Sequence, residues 1–171
     1  MRTQTTTLRT GRKTRLLIII AAVLALLAAA VLVWRLAFYE APFVPPEYDA
    51  TAQSGVPTPP ENMGYGEIRA ENGFAFSLVG TMYQQEDGSL LLYLTNPEYS
   101  GCNLLCEIAD ADGRVIYRSG VVRPGEYVER LSPQAELLNE EMQIELKVYA
   151  FEPETWYSMG TVSLVNTLHP W

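Results

Sequence analysis

Residues 143–151 read QIELKVYAF, and this stretch carries the clearest secondary-structure signal in the chain. Ile144, Leu146, Val148 and Ala150 alternate with polar or aromatic residues, which is the period-two pattern of a strand with one buried and one solvated face. The pattern therefore predicts a half-buried β-strand in a sheet that packs on a core.

Strand signals of this kind recur on both sides of the stretch, with turn residues between them. The turns contain Gly88, Gly113 and Gly125, because glycine tolerates the positive φ that tight turns require. Short strands at this spacing indicate an antiparallel sandwich over residues 64–171, so the predicted fold class is mainly β. The predicted strands are residues 74–79, 89–95, 103–109, 115–117, 127–131, 143–151 and 160–168.

Residues 35–63 precede this domain and are rich in proline. Proline fixes φ and removes a backbone donor, which disfavours both a helix and a central strand. The segment is therefore predicted to be an extended, semi-rigid, solvated linker.

Residues 16–34 read LLIIIAAVLALLAAAVLVW and contain no polar or charged side chain. As a helix this segment is ~28 Å long, close to the hydrocarbon thickness of a bilayer. The pattern predicts a single transmembrane helix that acts as an uncleaved anchor. A cleavable signal peptide, cut after Ala30, is the alternative that the small residues at positions 28–30 leave open.

Charge is distributed very unevenly about this helix. Residues 1–15 carry five basic residues and no acid, whereas all 20 acidic residues of the chain follow residue 34. The positive-inside rule predicts a cytoplasmic tail over residues 1–15 and an extracytoplasmic domain, in a single-pass protein of the cell membrane. The acidic domain argues against nucleic-acid binding, since phosphate contacts require a basic face.

Catalytic chemistry has few candidate residues in this sequence. Nucleophilic catalysis needs a base beside the nucleophile, and His169 is the only histidine. Cys102 and Cys106 are predicted to be free thiols, half-buried and buried respectively, because two positions four apart on one strand are too distant for a disulfide, which becomes possible only if residues 100–103 form a tight loop. We expect no catalytic residue, no cofactor and no metal ligand, and an envelope enzyme that uses one of the cysteines is the weaker alternative.

Aromatic residues near predicted loops are the candidate functional residues of the domain. Tyrosine and tryptophan at loop tips are the side chains that protein-binding surfaces use most. Packing of the same side chains over the ends of the core is the alternative role. The candidate partner-binding residues are Tyr65, Tyr83, Tyr99, Tyr127, Trp156 and Tyr157.

Three motifs in the middle of the domain carry a resemblance. A strand ends in Leu94-Thr95-Asn96, the stretch CEIADADGRVIY follows at residues 106–117, and a Pro-Gly turn lies at residues 124–125. This order resembles bacterial immunoglobulin-like extracytoplasmic modules over residues 75–151, in particular small, uncharacterised membrane-anchored domains of Gram-positive bacteria. The resemblance implies an immunoglobulin-like β-sandwich at the cell surface and transfers no catalytic residue.

Two functional hypotheses follow for the domain. The first is a non-enzymatic interaction module that binds another envelope protein as part of a cell-envelope assembly. The second is a cell-surface sensor that binds a peptide, a glycan or an ion.

Overall fold

The computed structural model describes residues 10–37, 43–71, 73–134 and 140–170 of the 171-residue chain. The chain divides into two compact units, Met1–Val44 and Pro45–Trp171. The first unit contains one apolar helix, and the second is mainly β with two five-stranded sheets.

Helix α1 spans Thr10–Ala37, and its leucine and alanine residues are strong helix formers. Its segment Thr14–Leu36 has a mean hydropathy of 3.3, and none of the apolar segment is buried. Helix α1 is therefore long and apolar enough to cross a membrane, as residues 16–34 predict. The helix begins earlier than expected, since residues 10–15 of the predicted basic tail belong to it. Residues 1–9 of that tail lie outside the described residues.

The second unit is built from short strands that form two sheets. In the described residues the strands are β1 (Gln53–Ser54), β2 (Gly66–Arg69), β3 (Ala75–Leu78), β4 (Met82–Tyr83), β5 (Leu90–Asn96), β6 (Asn103–Asp110), β7 (Val115–Arg118), β8 (Glu126–Leu131), β9 (Met142–Phe151) and β10 (Ser158–His169). The first sheet has the order β1-β8-β5-β3-β2, and the second has the order β4-β10-β9-β6-β7. Strand β10 pairs in parallel with β4, whereas the other neighbouring strands of both sheets are antiparallel.

A single hydrophobic core lies between the two sheets. Phe76 and Leu92 enter it from the first sheet, and Leu104 and Leu146 enter it from the second, all fully buried. Removing each such side chain from water contributes roughly 1.5–3 kcal/mol. The period-two pattern of residues 143–151 is confirmed, because its four aliphatic residues point into this core.

The predicted strands correspond to β3 and β5 to β10, with ends that differ by a few residues. The sequence patterns did not indicate β1, β2 and β4, which have two or four residues each and too few positions to show a period.

A bulge in β5 bends the first sheet. Tyr93 has a φ of 51°, and the register between β5 and β8 shifts between Leu91 and Leu94. Because a bulge increases local twist and bends its strand, the first sheet curls into a half-barrel. The immunoglobulin-like geometry of the sandwich stays a prediction.

Buried Asn96 at the end of β5 links the two sheets. Its Nδ2 donates to the carbonyl oxygens of Cys102, at 2.7 Å, and Val122, at 2.9 Å, beside the start of β6. Buried carbonyl groups need a hydrogen-bond donor, and the Asn96 side chain supplies one to both of these. These hydrogen bonds fix the end of β5, where the sequence motif Leu94-Thr95-Asn96 lies.

Residues 45–63 differ from the solvated linker that their prolines predict. Asp49 Oδ2 accepts a hydrogen bond from Gly120 N at 2.7 Å, and Asp49 N donates to Val121 O at 2.9 Å. Strand β1 pairs with β8, and Met63 is only 3% exposed. The segment packs on the β unit because several of its non-proline residues find partners that lie far away in the sequence. Residues 38–42 of the predicted linker lie outside the described residues.

The D-x-D-G sequence forms the hairpin turn between β6 and β7 that it predicts. Asp110 Oδ1 accepts hydrogen bonds from the N–H groups of Asp112, at 3.1 Å, and Arg114, at 2.9 Å. Gly113 takes a φ of 80°, which glycine adopts without strain.

Candidate functional site

Four of the six candidate aromatic residues lie outside the turn between β9 and β10, and three of them border one row of register partners on the first sheet, Glu67, Ser77, Thr95 and Tyr127. The half-buried Tyr65 donates to Thr95 Oγ1 at 2.7 Å, and Tyr127 donates to Gln53 Oε1 at 3.0 Å. Tyr99 hydrogen-bonds to Glu67 and is 63% exposed, and the Tyr83 ring centroid lies 5.4 Å from that of His169. Tyr65, Tyr99 and Tyr127 thus lie around one row of the first sheet, whereas Tyr83 lies on the second sheet beside His169.

Trp156 and Tyr157 lie in the tight turn between β9 and β10. Glu152 O accepts a hydrogen bond from Trp156 N, and Glu152 N donates to Tyr157 O, each at 2.9 Å. Glu152 Oε2 also accepts from Thr155 N at 2.6 Å, and the hydrogen bonds of the Thr155 side chain and backbone lower the pKa of this carboxyl group. The turn is thus held by its own polar groups.

Backbone strain is present at Trp156, whose φ is 61°. A bulky residue in this left-handed region is an outlier that costs of the order of 1–3 kcal/mol and persists only when its surroundings hold it. The indole ring of Trp156 contacts two neighbouring aromatic side chains, which are part of these surroundings.

An aromatic surface forms around this ring and consists of Tyr48, Tyr149, Phe151 and Trp156. The Trp156 ring centroid lies 6.2 Å from the centroids of both Tyr48 and Phe151, and Phe151 lies 6.5 Å from Tyr149. These distances are in the range at which aromatic rings attract one another.

Three separate parts of the chain build the aromatic surface. Tyr149 and Phe151 occupy the outward-facing positions of β9, opposite to the aliphatic residues in the core. Tyr48 belongs to the segment of residues 45–63 and forms a short parallel β-bridge with Val121. The guanidinium of Arg123 lies over the Tyr48 ring, 4.3 Å from its centroid, and this cation–π contact adds a positive charge to the edge of the surface.

Two buried residues lie on the same face of the second sheet. Asn103 and Leu105 are the register partners of Phe151 and Tyr149, and they are 2% and 3% exposed. Because register partners point to the same side of a sheet, the aromatic rings lie beside them and exclude water. Asn103 Nδ2 has no hydrogen-bond partner among the described residues.

Glu107 connects the aromatic surface to a charged neighbour. Tyr149 donates a hydrogen bond to Glu107 Oε2 at 3.0 Å, and Arg118 Nε lies 3.3 Å from Glu107 Oε1. Partial burial raises the pKa of Tyr149, and the hydrogen bond to Glu107 raises it further. Tyr149 therefore stays a neutral hydrogen-bond donor over the physiological pH range.

The aromatic surface is partly open to solvent. Tyr48 is 47% exposed, and Tyr157, next to Trp156 in the turn, is 76% exposed. Rigid aromatic side chains with one open side are what a protein-binding surface requires, because they bury much apolar area at a small cost in conformational entropy.

The two cysteines lie in the core and are free thiols. Both are fully buried, so Cys102 is more buried than the half-buried position expected for it, because β6 begins directly after it. Burial raises the pKa of both thiols, although Ser100 Oγ lies 3.2 Å from the sulfur of Cys102 and opposes this. A raised pKa disfavours the thiolate that nucleophilic chemistry needs.

His169 is the last residue of β10 and lies beside Tyr83 of β4. Its Nδ1 lies 3.0 Å from Glu141 Oε1, where an imidazole–carboxylate contact forms on the surface. The parallel pairing with β4 places it there, and sequence spacing could not reveal this.

Sequence reasoning identified Trp156 and Tyr157 but missed Tyr48, Tyr149, Phe151 and Arg123. The outward positions of Tyr149 and Phe151 follow from the period of residues 143–151 and were open to inference. Tyr48 and Arg123 had no such signal, since they reach the surface through pairing of distant segments.

No protein-family model matches the chain, and the comparisons with curated proteins and with solved structures also give no match.

Proposed function

We propose that the chain is a membrane-anchored, non-enzymatic interaction module that binds another envelope protein through the aromatic surface. The observation that carries this proposal is the cluster of Tyr48, Tyr149, Phe151 and Trp156, which is extended by the exposed Tyr157. Clustered tyrosine and tryptophan beside an arginine is the composition of protein-binding hot spots.

Helix α1 and the charge distribution support a place for this module in the cell. An apolar helix behind basic residues anchors the chain with its first residues in the cytoplasm and the β unit outside. The β unit is an immunoglobulin-like sandwich in this proposal, as the order of the motifs at residues 94–125 implies.

The environment of the thiols supports a role other than catalysis. Cys102 and Cys106 are buried and hold their protons, and Glu141 is the partner of the His169 imidazole. The two thiols pack in the core, and the contact between His169 and Glu141 lies on the surface. An interaction role requires none of these groups to act as a nucleophile.

Crosslinking in native membranes tests the proposal. A photo-reactive residue at Tyr157 of the full-length protein is expected to capture one stoichiometric envelope protein, and Trp156→Ala is expected to abolish the capture. Tyr99→Ala is the matched control, because Tyr99 is an exposed tyrosine that makes no contact with the aromatic surface. Capture that survives Trp156→Ala would assign the partner to another surface.

An empty capture from anchored, folded protein would overturn the interaction role. A thermal shift on adding a peptide, a glycan or an ion to the same protein would then favour the sensor hypothesis.

A further inference from the structure

One edge of the second sheet is open along most of its length. Strand β10 pairs with β9 from Ser158 to Leu168, but β4 covers its other side only at Leu168 and His169. Asn166 Nδ2 also reaches Gly80 O at 2.9 Å. Within the described residues no strand lies beside residues 160–165 on this side.

The backbone of this segment presents hydrogen-bonding groups to the open side. His169 O accepts a hydrogen bond from Gln84 N at 2.9 Å, so the polar groups of His169 point towards the β4 side. Polar groups of alternate residues in a strand point to the same side, and the register of β10 is regular from Gly160 onward. Thr161, Ser163 and Val165 therefore direct their N–H and C=O groups to the open edge.

The composition of this edge does not protect it. Residues 158–168 read SMGTVSLVNTL and contain no charge and no proline. Proteins normally guard edge strands with charges, prolines or short strands. Strand β2 carries the Glu67–Arg69 ion pair, and β7 ends in the exposed Arg118.

The opposite side of the β unit is covered. Residues 47–49 pair beside Val121, β1 pairs with β8, and Pro133 forms a bridge with Tyr117 of β7. An open, uncharged edge on one side alone marks that side as an assembly surface.

We propose that β10 pairs in antiparallel fashion with β10 of a second copy of this chain, which joins the two second sheets into one. The two-fold axis lies at Ser163, in the middle of a free segment that the bulge near Met159 and strand β4 delimit. This register places Ser163 opposite Ser163 and Thr161 opposite Val165, with their outward N–H and C=O groups facing one another.

A second copy suits this edge for reasons of charge and core packing. The β unit contains nearly all of the acidic residues, so most of its surfaces repel a copy, whereas residues 158–168 bring no charges together. Val162 and Leu164 point inward and are only partly buried against the core. In the pair they lie opposite one another and extend the core across the interface. The proposal does not rest on the aromatic surface.

Cysteine crosslinking of the full-length protein in its membrane tests this pairing. Paired Cα atoms at such a position are about 5.5 Å apart, within reach of a disulfide, so Ser163→Cys is expected to give a covalent dimer on mild oxidation. Lys147→Cys is the matched control, because Lys147 is the register partner of Ser163 on β9 but lies one strand further from the axis. The native cysteines are buried and do not compete.

Charge variants give a second, independent measurement. Ser163→Glu and Ser163→Lys place like charges opposite each other in the dimer, and each is expected to weaken self-association in nanodiscs about fivefold or more. An equal mixture of the two variants is expected to restore pairing as a heterodimer. A monomeric wild type, or equal crosslinking at residues 163 and 147 with no effect of the charges, would overturn the proposal. So would capture by Ser163→Cys of a different protein only.

Discussion

Tyr117 on β7 shows how burial alters the chemistry of a single residue. Its ring is fully buried, and its hydroxyl group donates to Gly88 O at 2.8 Å. The pKa of Tyr117 is raised from an ordinary value of 10.0 to about 12. Burial is the larger cause, and the nearby charge of Asp87 is the smaller one. The folded state therefore holds the hydroxyl proton more tightly than the unfolded chain does.

This shift predicts a loss of stability at alkaline pH. A raised pKa in the folded state means that the contribution of Tyr117 is complete below pH 10 and is lost as the pH rises towards 12. We expect Tyr117→Phe to lower the free energy of unfolding by about 1 kcal/mol at neutral pH, through the lost hydrogen bond, and to flatten its decline above pH 10.

Denaturant unfolding of the full chain in detergent, measured across this pH range, gives both quantities. The comparison with wild type isolates Tyr117, since the buried thiols contribute equally to both proteins. Identical alkaline slopes for the two proteins would refute this account.

Segment 45–63 is the element that differs most from its sequence pattern, and its attachment depends on one glycine. A Cβ atom on Gly120 would lie 2.5 Å from Asp49 Cα and 2.6 Å from Asp49 N. Backbone atoms cannot make room as a flexible side chain does, so residue 120 must lack a side chain for Asp49 to reach its N–H group.

Gly120→Ala is therefore expected to displace the segment around Asp49 and to destabilise the β unit by about 1–3 kcal/mol. Because Tyr48 moves with this segment, the variant is also expected to weaken partner capture at Tyr157. Gly66→Ala is the control, since a Cβ at Gly66 meets nothing within 4 Å. Equal melting temperatures of the two variants, measured by thermal unfolding, would contradict this role of Gly120.

At the scale of the whole molecule, the proposed function predicts the orientation of the chain in a membrane. Cysteine labelling in intact cells with a membrane-impermeant maleimide measures the orientation of the chain. Tyr157→Cys is expected to react, because residue 157 is 76% exposed on the β unit. The native thiols are buried and supply a silent background.

Thr5→Cys, within the basic tail, is expected to react only after the cells are permeabilised, because positively charged flanks stay in the cytoplasm. Labelling of residue 5 but not of residue 157 in intact cells would reverse the proposed orientation.

The sequence by itself determined the features that depend on neighbouring residues. The length and apolarity of residues 16–34 indicate the helix, the period of residues 143–151 indicates β9, and the D-x-D-G sequence specifies its hairpin. These signals are local, since helix formation, strand alternation and turn geometry each involve a few consecutive residues.

Tertiary structure alone decided the features that depend on strand order. The Tyr48–Trp156 contact, the packing of residues 45–63 and the open edge of β10 each join or expose segments far apart in the sequence. Of the six candidate aromatic residues only Trp156 belongs to the aromatic surface, with Tyr157 next to it in the turn, because proximity is set by which strands become neighbours. A strand carries the same pattern whether it lies at an edge or in the middle of a sheet, so its place appears only when the sheets assemble.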